Sequence, residues 1–537
     1  MKIGLAQINS AVGDVDKNAD TILRYIKDYG ESVDMLIFPE MALSGYPPQD
    51  LLNESSFLDR VESSFDKIVS LVKDTVVIVG LPRRADGRLY NSAAVIQKGS
   101  ILFFSDKTLL PSYDVFDETR YFSPSKIKNC PMEISVQGKK ICLGVQICED
   151  LWDEHYSVKV TDEMIKHGAE MIVNISASPF EIGRLGKRLS LCTDKAKHLK
   201  YNFIYLNMIG GQDELVFDGN SFALNSNGDI VGKCLGFKEE IIIVDTDSDN
   251  AISVADICEE QQIFDALTLG VRDYFRKTNF SKAVVGLSGG IDSSLTAAIA
   301  SQALGPDNVI GISLPSKFSS KHSIDDAKEL AENLGIQYDL ISIDSLFSEF
   351  KIQLQDFNPL DEHGTVEENL QARIRGNLLM ALSNKRGALL LNTGNKTEIA
   401  LGYCTMYGDM CGAIGVISDL NKEQVYSVSK WINKTFESNL IPKNVIDKKP
   451  SAELSPNQYD PFDYSIVSPL VDEIINNQIN KKQLIDLGYD SKIVDDILNL
   501  VNKSEYKRKQ SCPGIRVSPK AFGSGRRFPI ANGFMSK

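Results

Sequence analysis

The segment AVVGLSGGIDSSLTAAIASQAL, residues 283–304, narrows most what this chain can become. An apolar run of strand length leads into two adjacent glycines and then, at 295–304, into an apolar stretch of helical length. Strand, glycine turn and helix in that order begin a right-handed crossover, which commits the neighbouring segments to a parallel, doubly wound sheet. The surrounding residues agree. Candidate strands at 309–314, 338–343 and 388–391 alternate with candidate helices at 324–334 and 365–385. A helix is also expected at 263–278, where Phe264, Leu267, Val271, Tyr274 and Phe275 recur at helical spacing. In such a sheet, ligands bind at the carboxyl ends of the strands.

The turn itself suits an anion. Gly289 and Gly290 let backbone N–H groups close on a phosphate, Ser288, Ser293 and Ser294 add hydroxyls, and the helix N-terminus adds partial positive charge. Asp292 would repel a bare phosphate but fits a Mg²⁺ ligand, because magnesium bridges carboxylate and phosphate oxygens. The plain alternative is a Ser/Gly turn that caps the next helix. No GxxxxGK[ST] occurs, so chemistry built on a P-loop lysine is not indicated.

Residues 1–247 have another texture. Short β-rich runs at 3–8, 35–38, 76–81, 89–97, 101–104, 141–147, 171–175, 203–207, 221–224 and 240–245 mix with amphipathic helices at 18–30, 56–73 and 188–199. Crossovers and hairpins together predict a mixed-sheet layered domain. The acidic, polar stretch DTDSDNAISVAD at 245–256 marks a linker, placed at 248–262, and the second domain runs over 263–537 with a basic tail from about residue 503. A chain of 537 residues allows three or four domains at roughly 150 residues each, and the two textures reduce that to two.

Lys plus Arg number 58 against 72 Asp plus Glu, a formal charge of −14 that argues against nucleic-acid backbone binding. Nine scattered cysteines without a CxxC pair read as reduced thiols, which with no secretory signal or membrane span predicts a cytoplasmic chain. Five histidines without zinc spacing turn attention away from His-centred or zinc chemistry.

Three reactive side chains follow apolar runs in the first half: Glu40 in MLIFPE, Lys107 in ILFFSDK and Cys148 in ICLGVQIC. A thiolate attacks amides, but it needs a base to lose its proton and a cation to steady the oxyanion, roles that Glu40 and Lys107 can fill. The plain alternatives are a core cysteine sharing one strand face with Cys142 and a snorkelling lysine.

Resemblance adds to this reading. FPEMALSGYPPQDLL, DKTLLPSYDVFDE and GVQICEDLW resemble the three signature segments of the nitrilase (carbon–nitrogen hydrolase) superfamily in a glutamine-amidase branch. That resemblance implies an αββα-layered domain, a catalytic triad of Glu40, Lys107 and Cys148, and Glu118 as the glutamate that orients the lysine. It also implies a glutamine pocket with Tyr46, Tyr113, Phe116, Ser176 and Phe180.

SGGIDS resembles the pyrophosphate loop of the ATP pyrophosphatase (adenine nucleotide alpha hydrolase) family, and TGNKTE at 393–398, GYCTMYGDM at 402–410 and KKPSAEL at 449–455 resemble its NAD synthetase members. Implied ATP contacts are Ser288, Gly289, Gly290, Asp292, Ser293, Ser294, Leu314, Arg373, Thr393, Lys422 and Ser451, with Mg²⁺ on Asp292 and Glu398. Asn369, Tyr403 and Asp409 are expected to hold deamido-NAD. Met406 stands where ammonia-only members commonly have lysine, and Lys507 is the expected substitute.

Together the resemblances imply NAD formation from deamido-NAD, ATP and glutamine, in a homo-oligomer paired through the second domain, with neither nucleic acid nor membrane as partner. Another glutamine-dependent, ATP-using amidotransferase and an RNA-modifying protein remain as alternatives.

Overall fold

The computed structural model describes residues 1–126, 130–248, 250–354, 364–451, 453–455 and 458–533. They divide into two compact units, Met1–Gln212 with Val216–Asp256, and Ile257–Lys537 with Asp213–Leu215.

The first unit carries strands β1 (Lys2–Gln7), β2 (Met35–Ile37), β3 (Val76–Ala85), β4 (Arg88–Gln97), β5 (Ser100–Asp106), β6 (Met132–Val136) and β7 (Lys139–Ile147). There follow β8 (Met171–Ser176), β9 (Phe203–Asn207), β10 (Ile209–Gln212), β11 (Leu215–Asp218), β12 (Phe222–Leu224), β13 (Ile230–Lys233) and β14 (Glu240–Asp245). They form sheets of order β14-β1-β2-β3-β4-β5 and β6-β7-β8-β9-β12-β13, plus the pair β10-β11. Read in those directions, both large sheets repeat one series of pairings: antiparallel, parallel, parallel, antiparallel, antiparallel.

Alternation along the strands sorts the core into layers. Ile3, Leu5, Met35 and Ile37 of one sheet share a core with Leu143, Val145, Val173 and Ile175 of the other. On the outer faces, Leu36, Val77 and Val79 pack under α1 (Val15–Tyr29) and α2 (Ser55–Leu71), while Ile172 and Tyr205 pack under α3 (Val160–Lys166) and α4 (Arg184–Ala196). The result is the expected αββα layering. Burial on both faces explains why the strands read as apolar runs rather than alternating patterns. The sequence reading omits β6, β10, β11, β13 and α3.

The second unit runs α5 (Glu259–Lys277), β15 (Ala283–Gly286), α6 (Ile291–Leu304), β16 (Val309–Ser313), α7 (Lys321–Leu334), β17 (Gln337–Leu340), α8 (Asp344–Leu354) and α9 (Thr365–Arg386). It continues through β18 (Leu389–Asn392), α10 (Lys396–Leu401), β19 (Ile414–Gly415) and α11 (Lys422–Thr435) into further helices. All five strands are parallel, ordered β17-β16-β15-β18-β19. The winding reverses between β15 and β18, which opens a crevice at their carboxyl ends. Helix α5 starts at Glu259, inside the stretch expected as linker, because Glu259 and Glu260 favour a first helical turn.

Backbones approach closely where β3 passes the end of β2. A Cβ at Gly80 would lie 2.4 Å from the Pro39 carbonyl oxygen and 2.6 Å from Glu40 Cα. Gly80→Ala is therefore expected to destabilise the first unit by about 1–3 kcal/mol, seen as a lower unfolding midpoint by calorimetry; an unchanged midpoint would show that this approach is not tight.

Candidate active sites

Glu40, Lys107 and Cys148 lie just beyond the ends of β2, β5 and β7 and are all buried. The Lys107 ammonium donates to Glu40 Oε1 and to Glu118 Oε1, each at 2.8 Å. Remaining acceptor capacity on the two carboxylates is partly filled. Asn91 Nδ2 donates to Glu40 Oε1 at 2.6 Å, the Ala177 N–H to Glu40 Oε2 at 2.7 Å, and the Tyr46 hydroxyl to Glu118 Oε1 at 2.9 Å. Glu118 Oε2 is buried without a hydrogen-bond partner.

Burial alone would lower the lysine, but Glu118 and Glu40 outweigh it and hold the ammonium well above its ordinary range. Burial, helped by Glu40, pushes the Cys148 thiol well up despite the pull of Lys107. Cys148 does not share a face with Cys142. Its φ of 43° turns the chain as β7 ends and sets it among the inter-sheet residues.

The expected pocket residues fall into two groups. Tyr46 and Glu118 touch the Lys107 network, and Ser176 is buried beside Ala177 with its hydroxyl on Asn174 Oδ1 at 2.7 Å. Tyr113, half exposed and edge-on to Phe116 at 5.6 Å, donates to Glu149, and Phe180 turns its ring against Phe237. Glu149, Asp150 and Asn91 were missed by sequence reasoning. Glu149 and Asp150 directly follow Cys148, and a carboxylate pair beside a candidate nucleophile was the available signal.

In the second unit, a cavity of about 340 Å³ lies at the switch point between β15 and β18. Ser288, Gly290, Asp292 and Ser293 line one side, and Leu314, Thr393, Glu398, Lys422 and Ser451 others. Gly289 has φ 75°, and a Cβ there would meet the Ser323 carbonyl oxygen at 2.2 Å, so this turn requires glycine. Ser294 differs from expectation: it is buried and its hydroxyl donates to the Gly290 carbonyl at 2.8 Å, part of the first helical turn.

Lys422 Nζ lies 2.6 Å from Asp292 Oδ2 and 3.3 Å from Glu398 Oε1, and Asn395 Nδ2 donates to Asp292 Oδ1 at 2.8 Å. Burial pushes the Glu398 carboxyl up to about 7 against the pull of Lys422. Two carboxylates converging on one cation beside a phosphate-type loop fit a magnesium ion, which takes one or two carboxylates plus phosphate oxygens. No cluster of three or more His, Cys, Asp or Glu side chains poised for a metal occurs among the described residues.

Tyr403 and Asp409 also line the cavity. Water reaches Asp409 through it, yet the depth of the site pushes its carboxyl up to about 6. Five expected contacts are not among the lining residues: Gly289 and Ser294 of the turn, and Arg373, Asn369 and Lys507. Arg373 is exposed and donates to the Met406 carbonyl at 3.3 Å, because α9 presents Ala372, Arg375, Gly376 and Leu379 to the cavity and Arg373 points elsewhere. Arg375 takes the place in the wall, donating to the Leu314 carbonyl at 2.9 Å. Asn369 accepts from the Thr405 hydroxyl, and Lys507 donates to the carbonyls of Gly402 and Cys404 at 2.7 and 2.8 Å.

These two sites define a carbon–nitrogen hydrolase unit joined to an NAD synthase unit. Residues 2–256 match the carbon-nitrogen hydrolase family model and residues 263–511 the NAD synthase model. The chain is 41% identical to a glutamine-dependent NAD(+) synthetase of Synechocystis sp. and 39% identical to one of Thermotoga maritima, with 99% of each chain covered in both cases. The solved structure of the glutamine-dependent NAD+ synthetase of Acinetobacter baumannii in complex with ADP superposes with a TM-score of 0.79 at 35% identity, over 100% of this chain and 99% of that one. The chain belongs to the glutamine-dependent NAD(+) synthetase family.

Removing Lys107 would leave Glu40 and Glu118 as uncompensated buried carboxylates. Lys107→Met is expected to cost about 3–5 kcal/mol in urea unfolding of the first unit. A cost near zero would mean that water or a proton replaces the ammonium without penalty.

Proposed function

We propose that the chain forms NAD⁺ by amidating the nicotinate carboxyl of deamido-NAD, with glutamine as nitrogen donor and ATP as the activating co-substrate. The observation that carries this reading is the full-length similarity to glutamine-dependent NAD(+) synthetases in a chain whose two units each hold a site of the required chemistry.

In the first unit, Cys148 Sγ attacks the glutamine carboxamide carbon while Glu40 takes the thiol proton. Negative charge then develops on the carbonyl oxygen beside the Lys107 ammonium, which is already in place and needs no reorganisation. Glu118 Oε2, an unfilled acceptor, suits a carboxamide N–H of the substrate. Collapse of the intermediate returns the proton from Glu40 to the departing nitrogen, releasing ammonia and leaving a γ-glutamyl thioester. Water deprotonated by Glu40 then releases glutamate and restores the thiol. Tyr113, Phe116, Ser176 and Phe180 are assigned to holding the rest of glutamine.

In the second unit, the nicotinate carboxylate attacks the α-phosphorus of ATP and pyrophosphate leaves toward the turn at 288–293. Ammonia then attacks the acyl-adenylate carbon and AMP departs. Lys422 and Arg375 supply positive charge at the cavity wall. Asp292 and Glu398 would hold Mg²⁺, which supplies charge neutralisation on the phosphates when bound. Tyr403 and Asp409 are assigned to deamido-NAD.

None of the nine cysteines is in a disulfide, and no helix among the described residues is long and apolar enough to cross a membrane. Both fit work in the cytoplasm. The exposed side chains of Val366, Met380 and Tyr407 support pairing of two copies through the second unit.

Cys148→Ala is expected to lose NAD⁺ formation from glutamine while keeping it from ammonium salts, measured by incorporation of ¹⁵N from labelled glutamine or ammonium. Retained transfer from glutamine would refute the role of Cys148. Asp292→Ala is expected to abolish NAD⁺ formation from both donors, and activity with either would remove it from the ATP site.

A further inference from the structure

We infer that Asp150 is the positioning residue of the first site, its carboxylate fixing the Lys107 and Cys148 backbones against each other. Lys107 and Cys148 follow different strands; the Lys107 N–H donates to the Asn91 carbonyl at 2.8 Å and its carbonyl accepts from the Ser125 N–H at 3.0 Å, but neither bond ties it to the Cys148 segment. Asp150 supplies that tie. Its Oδ1 accepts the N–H groups of Thr108 at 3.0 Å and Leu109 at 2.8 Å, and its Oδ2 accepts the N–H of Ile147 at 3.1 Å. The joined segments are the residues directly after Lys107 and directly before Cys148.

The same contacts steady the left-handed turn at Cys148, since a non-glycine residue at φ 43° persists only where its surroundings over-determine it. Asp150 is 1% exposed, so water cannot replace a lost acceptor. An amide in its place offers one acceptor oxygen, and its NH₂ would face a backbone N–H. None of these contacts reaches the groups assigned to holding glutamine, so the inference concerns reaction geometry rather than affinity.

The inference rests on Cys148 as the nucleophile toward glutamine, and the test separates the two. Steady-state glutamate release from glutamine and NAD⁺ formation from ammonium are measured on full-length Asp150→Asn, Asp150→Glu and Cys148→Ala. Asp150→Asn is expected to lower kcat for glutamine by about 10²-fold, the cost of an ångström-scale misplacement, with KM and the ammonium-driven rate unchanged. Asp150→Glu keeps both acceptor oxygens and folds more readily, but its extra methylene displaces the joined segments, so kcat is expected to fall in the same direction.

A wild-type kcat in either Asp150 variant overturns the inference. So does a parallel fall in the ammonium-driven rate, which marks general unfolding. If Cys148→Ala still hydrolyses glutamine, the reading of the site fails instead. If Asp150→Asn yields no folded protein, Asp150→Glu alone decides.

Discussion

One ammonium group between two buried carboxylates organises the first unit. Lys107 reaches Glu40 and Glu118 at 2.8 Å each, with all three side chains nearly sealed from water. Burying three charges is costly unless hydrogen bonds meet the remaining lone pairs, and Asn91, Tyr46 and the Ala177 N–H meet most of them. Burial pushes the Glu118 carboxyl up, against the pull of Lys107. Burial, with Glu40 beside it, pushes the neighbouring Cys148 thiol well up despite the pull of Lys107.

The second unit repeats the stoichiometry with the opposite exposure. Lys422 also sits between two carboxylates, but Asp292 and Glu398 open onto a cavity, so the cluster can exchange partners with ligands. The chain is acidic overall, yet Arg375, Lys422, Lys448 and Lys449 are gathered at that cavity. Asp292, Glu398, Asp409, Glu453 and Asp460 line it too, so the cations are interleaved with carboxylates rather than in excess of them.

Much of this was legible in the sequence. The strand, glycine turn and helix at 283–304 pointed to a parallel sheet, and Glu40, Lys107 and Cys148 stood out because each follows an apolar run. Helical phase was harder to read. Arg373 and Arg375 lie two positions apart, hence on different faces of α9, and only packing decides which one enters the cavity. The partners of Asp150 were unreadable for another reason: all three are backbone N–H groups, which carry no sequence signature. The carbonyls of Gly402 and Cys404 that accept from Lys507 are equally unmarked.

The burial of Cys148 bears on survival as well as chemistry. Peroxide oxidises thiolates, and a thiol pushed well up inside a closed core gives it little to attack. Cys130 and Cys258 are exposed and meet oxidant first, and neither belongs to a site. Burial thus acts on Cys148 twice, raising its thiol and keeping solvent-borne oxidant away from it.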